Sequence, residues 1–262
     1  MKFAVNVPPF TDPATVVETA RDAEAAGWDG VFLWDHLRWE TDHPPDVHDP
    51  WVLLGAMAQV TDRVLLGTLV TPLSRRRPWV VAKQVTTLDH LSGGRAVLGV
   101  GLGEPPAADF SDFGDEADAR VRAAILDESL AIIDALLRTG HVSHHGAHFS
   151  VVADVRPAPV QRPRPPIWVA GVVPNARPLR RARGWDGVVP IGEAELLTPD
   201  ALAGYLAGEV PRGWEVVASR APGFAASEYA EAGATWLVDS TWPVGDWVEE
   251  LHERVREGPP GT

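Results

Sequence analysis

A chain of 262 residues can fold as one large domain, because an unfolded chain of this size can bury about three-quarters of its surface. Its content of 45% hydrophobic and 23% charged residues excludes a disordered or fibrous protein, and its formal net charge of −13 disfavours nucleic acid as a partner. The absence of cysteine excludes disulfides, thiolate metal sites and thiol catalysis. No apolar run reaches the ~20 residues of a membrane span, so we expect a cytoplasmic protein without a membrane partner.

Eight short apolar runs predict buried parallel strands. They lie near residues 3–7, 30–34, 64–70, 96–100, 167–170, 187–191, 214–218 and 235–239. Three runs follow one shared junction, in which a glycine precedes the apolar residues, at 26–33, 183–189 and 232–238. Glycine suits the left-handed residue after a helix, and a continuous apolar run suits a strand that is covered on both faces.

Helices are predicted between these strands. Prolines suited to the first helical position predict helices over 14–26, 51–60, 79–91 and 201–207, and the spacing of apolar residues predicts the longest helix over 119–138. Strict alternation of strand and helix indicates an α/β fold, and eight units predict a TIM (β/α)8 barrel as a single domain over 1–257. The alternative, an open doubly wound sheet, is disfavoured because no Gly-x-Gly-x-x-Gly motif opens a helix after the first strand.

We expect two stretches to lie outside the barrel. Residues 141–166 are predicted to be a surface insertion between barrel strands 4 and 5, with a hairpin at 144–146, and residues 258–262 a disordered tail.

Candidate catalytic residues follow the second and fourth strands, since the active site of a TIM barrel forms at the carboxyl ends of its strands. His36 is the first candidate for proton transfer, because histidine ordinarily titrates nearest neutrality, and Asp35 or a backbone carbonyl could fix its tautomer. Asp35 is more readily interpreted as a buried partner of loop amides. Glu104 is equally well interpreted as a second acid or base and as a capping or surface carboxylate.

Candidate ligand-binding residues lie in the loops after the fourth and fifth strands. Gly101 has a glycine two residues away on either side, and such backbone lets a flat ligand or a phosphate approach closely. Residues 171–175 lead into a helix that bears Arg177 and two further arginines, which makes the start of that helix a candidate anion site. For this cluster, and for the arginine run at 75–77, the alternative interpretation is a basic surface that only contacts solvent.

Histidines and tryptophans form two further groups. His144, His145 and His148 resemble a metal tract by count, but adjacent hairpin histidines point to opposite sides and no carboxylate is spaced to complete a set, so we predict no metal site. Four tryptophans near strand ends could wall a pocket for a ring system: Trp34, Trp39, Trp168 and Trp242.

Motifs around the third and fourth strands resemble those of the bacterial-luciferase-like flavin-dependent oxidoreductases. The resemblance rests on GTLVTPL at 67–73 with RRRP at 75–78, and on LDHLSGGR at 88–95 continuing into LGVG at 98–101. It spans nearly the whole chain and implies a luciferase-like TIM barrel that binds FMN or the deazaflavin coenzyme F-420.

The resemblance also implies roles for individual residues. Asp35 and His36 resemble a pair that F-420-dependent members place at the deazaflavin ring, and Glu104 is similar to a catalytic acid of the sugar-phosphate dehydrogenase branch. Leu69–Val70 matches a non-proline cis peptide behind the ring, and 170–173 resembles the loop that holds the cofactor phosphate. The predicted catalytic residues are thus His36 and Glu104, and the predicted cofactor-binding residues are Asp35, Leu69, Val70, Thr71, Gly101, Ala170, Gly171, Val172, Val173, Asn175 and Arg177.

The expected function is hydride transfer between F-420 and a small organic substrate. The Asp-His pair, arginines available to the acidic tail of F-420 and a residue usage like that of high-GC actinobacteria favour it. An FMN-dependent monooxygenase is the alternative, and a non-catalytic flavin-binding protein is a third hypothesis. The segment between strands six and eight is shorter than in larger relatives, which implies an open pocket or one completed by a partner subunit, and we expect a homodimer.

Overall fold

Eight parallel strands close into a barrel, as the sequence predicts. A computed structural model describes residues 1–39, 43–193, 195–207 and 210–260. In chain order the strands are β1 (Lys2–Val7), β2 (Gly30–Leu33), β3 (Leu65–Pro72), β4 (Ala96–Gly101), β5 (His141–His145), β6 (Ser150–Asp154), β7 (Ile167–Val172), β8 (Gly187–Ile191), β9 (Glu215–Ser219) and β10 (Trp236–Ser240). The barrel runs from β1 through β2, β3, β4, β7, β8, β9 and β10 back to β1, and β5 and β6 form a separate antiparallel hairpin.

Helices lie between the strands and begin where the prolines predict. They are α1 (Pro13–Ala25), α2 (Pro50–Met57), α3 (Pro78–Leu91), α4 (Pro106–Asp109), α5 (Ala119–Thr139), α6 (Ala176–Ala182), α7 (Pro199–Leu206), α8 (Ala226–Glu231) and α9 (Trp247–Glu257). Asp12, Asp49 and Thr198 each precede the first proline of a helix and accept a hydrogen bond from a first-turn N–H group. These caps fix three of the helix starts at the predicted positions.

Three aromatic side chains fill the barrel interior toward the amino ends of its strands. The rings of Phe32, Trp168 and Trp236 have centroids 5.5 to 6.1 Å apart, and none is more than 1% exposed. Trp168 is the second residue of β7, and its ring packs against the other two in the interior, away from the rim. The prediction that Trp168 walls a pocket is therefore wrong.

The LDHLSGGR motif lies at the amino end of β4, where it supports the fold. The Arg95 guanidinium donates to the carbonyl oxygens of Thr61 (2.6 Å) and Val64 (2.7 Å). Asp89 is fully buried and accepts hydrogen bonds from the backbone N–H groups of 160–161. These contacts tie the turn before β4 to its neighbours at the face opposite the expected active site.

The predicted insertion is the β5–β6 hairpin, and it is anchored to α5. Glu128 of α5 accepts hydrogen bonds from the backbone N–H groups of 147–149 and from His144 Nε2 over 3.1 Å. His141 Nδ1 lies 2.9 Å from Asp154 Oδ1. Each of these two carboxylates therefore pairs with one hairpin histidine. Within the described ranges, no three His, Asp or Glu side chains are grouped so as to hold a metal ion.

Two residues of the predicted disordered tail are buried against the rest of the chain. α9 ends at Glu257, and Gly258 and Pro259 are buried instead of belonging to a disordered tail. Residues 261–262 lie outside the described residues. In the described part of the chain, no helix combines the length and hydrophobicity needed to cross a bilayer.

Candidate active site

The rim at the carboxyl ends of the strands brings several predicted site residues together. A Cβ atom on Gly101, at the end of β4, would lie 2.7 Å from Val70 Cγ2 and 3.4 Å from Ala170 Cβ. Glycine is therefore needed for β3 and β7 side chains to approach each other across β4. Asn6 of β1 reaches the same place, because its Nδ2 donates to the Leu69 carbonyl over 3.2 Å. We call Leu69, Val70, Gly101 and Ala170 the rim cradle.

The Leu69–Val70 peptide bond is cis, which confirms the prediction from the resemblance. The pairing of β3 with β4 shifts in register between Thr68 and Thr71, so the strand bulges at this bond. Asn6 Oδ1 is buried here and has no hydrogen-bond partner among the described residues. A ligand N–H group that reached this oxygen would satisfy a buried acceptor.

Asp35 is the centre of a buried ion-pair cluster directly after β2. Its carboxylate accepts hydrogen bonds from Arg75 Nη2 (2.7 Å), Arg76 Nη2 (2.7 Å) and Thr71 Oγ1 (2.8 Å). Burial raises the pKa of Asp35, but the charges of Arg76 and Arg75 and these hydrogen bonds outweigh it and hold the pKa below its ordinary value.

This cluster changes three expectations. The side chains of Asp35 and Thr71 are fully buried, so they support the rim from behind and do not present polar atoms to a ligand. The partners of Asp35 are side chains and not loop amides. Arg75 and Arg76 are not a solvated basic face, and with side chains only 1% and 17% exposed they are not available to an acidic cofactor tail.

His36 pairs with Asp109, a residue that the sequence analysis missed. Its Nδ1 lies 2.8 Å from Asp109 Oδ2, and the fully buried carboxylate also accepts from the Leu37 N–H group and from Arg75 Nη1. The expected partners of the imidazole, Asp35 or a backbone carbonyl, were therefore wrong. Because Nδ1 is engaged, Nε2 is the ring nitrogen without a partner in the described chain. One feature of the sequence could have identified Asp109 as a site residue: it lies five residues after Glu104, in the segment that follows β4.

Aromatic side chains surround the His36 imidazole. The ring centroids of Trp39, Trp34 and Phe10 lie 5.0, 5.9 and 6.1 Å from it. Trp242 packs against Trp34 at 5.4 Å and is 53% exposed. Three of the four predicted tryptophans thus lie together at the rim, with Phe10 as an unpredicted member. We call this group the aromatic wall, and its apolar faces suit a ring-shaped ligand.

Glu104 lies apart from His36. Its side chain is 72% exposed, and Oε1 is 3.8 Å from Arg122 Nη2. Arg122 is buried beneath the loop and donates to the carbonyl oxygens of Leu102 and Gly103. Glu104 shares no described hydrogen bond or ion pair with His36, so its environment is that of the surface carboxylate in the alternative interpretation.

The loop after β7 offers fewer amides to an anion than the sequence predicts. The N–H groups of Val173 and Asn175 donate to carbonyl groups of the chain itself, each over 2.9 Å, and Pro174 has no N–H group. The nearest N–H groups without a described partner belong to Ala176 and Arg177, the first residues of α6. The Arg177 side chain is exposed beside them.

Comparison with known proteins identifies the family to which this fold and rim belong. The sequence model of the luciferase-like monooxygenase family matches residues 1–225. The chain belongs to this family. The match covers the barrel from β1 to β9 and includes the rim cradle, His36 and Asp109.

Two kinds of luciferase-like relatives are similar to the chain. An F-420-dependent glucose-6-phosphate dehydrogenase of Beutenbergia cavernae is 38% identical over 198 residues, which cover 71% of this chain and 55% of the relative. The structure of an F-420-dependent tetrahydromethanopterin reductase from Methanopyrus kandleri covers 98% of both chains at a TM-score of 0.78 and 17% identity. A monooxygenase from Streptomyces bottropensis covers 98% of this chain and 97% of its own at a TM-score of 0.75 and 19% identity. These structures show that the fold is the luciferase-like TIM barrel.

The chain spans about half the length of the curated luciferase-like relatives that it matches, 55% and 49% for two F-420-dependent glucose-6-phosphate dehydrogenases.

Proposed function

We propose that the chain is an oxidoreductase that transfers hydride between coenzyme F-420 and a small organic substrate. The observation that carries this proposal is the 2.8 Å contact between His36 and Asp109 at the barrel rim, because it leaves one imidazole nitrogen free beside an apolar wall. The names of relatives such as F-420-dependent glucose-6-phosphate dehydrogenase and hydroxymycolic acid dehydrogenase favour a deazaflavin over FMN.

The rim cradle fits a flat cofactor ring. Its members offer apolar atoms, and Gly101 lets the Val70 and Ala170 side chains come together into one surface on which a planar group can lie. Asn6 Oδ1, the buried acceptor without a described partner, would accept a hydrogen bond from a ring N–H group. When bound, the cofactor would supply the hydride chemistry that amino-acid side chains do not provide.

The contribution of the chain itself is control of a proton at His36 Nε2. The Nδ1–H group donates to Asp109, so a neutral imidazole presents Nε2 as an acceptor and a protonated one presents the same atom as a donor. The Asp109 carboxylate stabilises the imidazolium that forms when Nε2 takes a proton. During oxidation of a substrate hydroxyl group Nε2 accepts its proton, and during reduction Nε2 returns it. The aromatic wall keeps water away from this exchange.

The cofactor phosphate is expected beside the loop that follows β7. The N–H groups of Ala176 and Arg177 have no partner in the described chain, and the Arg177 guanidinium is exposed next to them. Hydrogen-bond donors of both kinds bind phosphate oxygens. Gly171 brings α6 close to β7 at this point, since a Cβ there would lie 2.6 Å from Pro178 Cβ.

A second candidate function is that of an FMN-dependent monooxygenase. The description of the matched family and the fold of the Streptomyces bottropensis monooxygenase support it. The third hypothesis, a non-catalytic flavin-binding protein, differs in one observable way. Such a protein would keep its cofactor affinity after the loss of His36 and would have no turnover to lose.

We further propose that two copies of the chain associate. α2 is apolar on nearly all of its faces, and Val52 on it is 74% exposed. Val80 and Leu91 of the neighbouring α3 are 48% and 45% exposed. An apolar surface of this kind on two adjacent helices suits a contact with a second copy. Light scattering of the full chain should give twice the chain mass, and a monomeric mass at all concentrations would contradict this proposal.

The function is tested by binding and turnover measured on one preparation. The full chain is titrated with F-420 and with FMN, and each loaded form is then mixed with alcohols and sugar phosphates. Tighter binding of F-420 with substrate-dependent spectral change of the deazaflavin supports the proposal. Exclusive binding of FMN, with substrate-dependent oxygen consumption once the bound FMN has been reduced chemically, would establish the monooxygenase instead. Binding without any turnover would support the non-catalytic protein.

A further inference from the structure

An unusually dense basic cluster lies on α6, directly after the rim. Four arginines occur within the eight residues 176–183, with no acidic residue among them, in a chain whose net charge is −13. Arg177 and Arg180 are exposed and have no carboxylate partner in the described chain. Arg181 is paired with Asp127, over 2.5 and 3.0 Å. These side chains and Trp185 border a cleft of about 460 Å³ on the barrel surface, which we call the arginine cleft.

The cluster is costly to the helix that carries it. Arg177 lies three residues before Arg180 and four before Arg181, and like charges at these spacings face each other on a helix and destabilise it. Asp127 neutralises one of the three, so two positive charges remain uncompensated. An anion in the arginine cleft would remove this repulsion.

The position of the cleft points to an anion that is part of the bound ligand. Arg177 stands beside the proposed phosphate position, and Arg180 is about one helical turn, or ~5 Å, further from the rim. A chain of anionic groups that continued from the phosphate would therefore run along α6. Nucleic acid fits poorly, because the overall negative charge of the protein repels a long polyanion.

We propose that the arginine cleft binds the carboxylate groups of an acidic extension that follows the cofactor phosphate. The inference rests on the proposed function and deepens it, since the acidic tail of F-420 has this chemistry and FMN has no such extension. Guanidinium groups suit it because they bind carboxylates through paired hydrogen bonds. The arginines that meet the tail are thus those of α6 and not the buried run at 75–77.

The test compares ligands that differ only in their tails. The dissociation constants of F-420 with a long glutamate tail, F-420 with a single glutamate, and FMN are measured on the full chain, in dilute buffer and at about 0.5 M salt. The variants are Arg180→Gln and the conservative Arg180→Lys, and the control is Arg21→Gln, which removes an exposed charge without a described partner from α1. Circular dichroism checks that each variant is folded.

We expect the wild-type chain to bind long-tailed F-420 more tightly than the single-glutamate form, by a factor that shrinks in high salt. Arg180→Gln should raise the Kd of the long-tailed form by about 2- to 10-fold in dilute buffer and leave the Kd of FMN unchanged. Arg180→Lys keeps the charge but loses the paired hydrogen bonds, so its Kd should lie between those of wild type and Arg180→Gln. Equal affinity for both tail lengths, or an equal loss in Arg21→Gln, would overturn the inference while leaving the proposed function intact. Failure of every deazaflavin to bind would overturn the proposed function as well.

If the cleft instead binds an anionic substrate, the loss in Arg180→Gln would appear in the KM for a sugar phosphate and not in the Kd of long-tailed F-420. That result would also overturn the inference.

Discussion

Asp109 Oδ2 lies 2.8 Å from His36 Nδ1, and the Asp109 carboxylate is completely buried behind the imidazole. A carboxylate in this position holds the Nδ1–H tautomer and leaves Nε2 without a partner among the described residues. The two residues are 73 positions apart in sequence, and the short helix α4 brings the second back to the first. The proton transfer proposed for His36 therefore depends on a segment that follows a different strand.

Asp109→Asn should lower kcat by about 10- to 1000-fold, because the amide can donate to Nδ1 and favour the tautomer that places a proton on Nε2. The Kd of the cofactor should change by no more than a few fold. The pH dependence of kcat should also move, which a loss of packing alone would not cause. Asp112→Asn is the matched control, since Asp112 pairs with Arg38 on the surface. An unchanged pH profile in Asp109→Asn would remove Asp109 from the mechanism.

His36→Ala should lower turnover by about 100- to 10,000-fold while the cofactor still binds within a few fold of the wild-type Kd. Glu104→Gln should have a much smaller effect, because its exposed carboxylate lies apart from the imidazole. Steady-state kinetics at saturating cofactor measure both variants. Full turnover in His36→Ala, combined with lost cofactor affinity, would make His36 a packing residue and leave Glu104 or water as the proton source.

Arg177→Ala should raise the Kd of the cofactor more in dilute buffer than in high salt, because salt already screens the contact of an exposed guanidinium with a phosphate. Titrations at two ionic strengths measure the difference. A Kd equal to that of wild type at both salt concentrations would exclude the Arg177 side chain and leave the backbone N–H groups of α6 as the phosphate donors.

Gly101→Ala should destabilise the protein by about 1–3 kcal/mol and weaken cofactor binding, because the new Cβ would lie 2.7 Å from Val70 Cγ2 in the rim cradle. Gly204→Ala is the control. Gly204 lies within α7 with no atom near the position of a new Cβ, so alanine there should be neutral or stabilising. Denaturant unfolding and cofactor titration of both variants check this. An unfolding free energy and a cofactor Kd equal to those of wild type in Gly101→Ala would show that the rim cradle tolerates a side chain there.

Much of the barrel could be predicted from sequence because its signals are local. Each strand is an apolar run that is covered on both faces, and several helices begin with a capping residue and a proline, so neither needs knowledge of distant residues. Trp168 shows the limit of this reasoning. It is the second residue of the predicted run at 167–170 and also of β7, so it lies near the amino end of the strand, whereas the rim is formed by the carboxyl ends.

The site was predicted less completely because its decisive contacts join distant segments. His36 and Gly101 were found, since they follow apolar runs at the rim. Asp109 was not, because no pattern around it records that α4 returns to His36. Arg75 was taken for a candidate surface residue for the same reason, since only the folded loop shows that Asp35 neutralises it.

The attachment of the β5–β6 hairpin to the barrel should depend on pH through Glu128. Burial raises the pKa of this carboxyl, but the hydrogen bonds from His144 and from the N–H groups of 147–149 outweigh burial and lower the pKa from 4.5 to about 2. A carboxyl whose pKa is lower in the folded state stabilises that state fully above its unfolded pKa, and the stabilisation is lost as the pH falls toward the folded pKa.

Glu128→Gln should therefore lower the thermal midpoint by a few degrees at pH 7, and the difference from wild type should shrink as the pH falls from 4.5 toward 2. The measurement is thermal unfolding over the pH range in which both proteins remain folded. Glu18→Gln is the matched control, because Glu18 is an exposed helical glutamate of α1 without a described partner, and this variant should follow wild type throughout. A midpoint difference for Glu128→Gln that stays constant down to the acid limit would show that the carboxylate charge does not hold the hairpin.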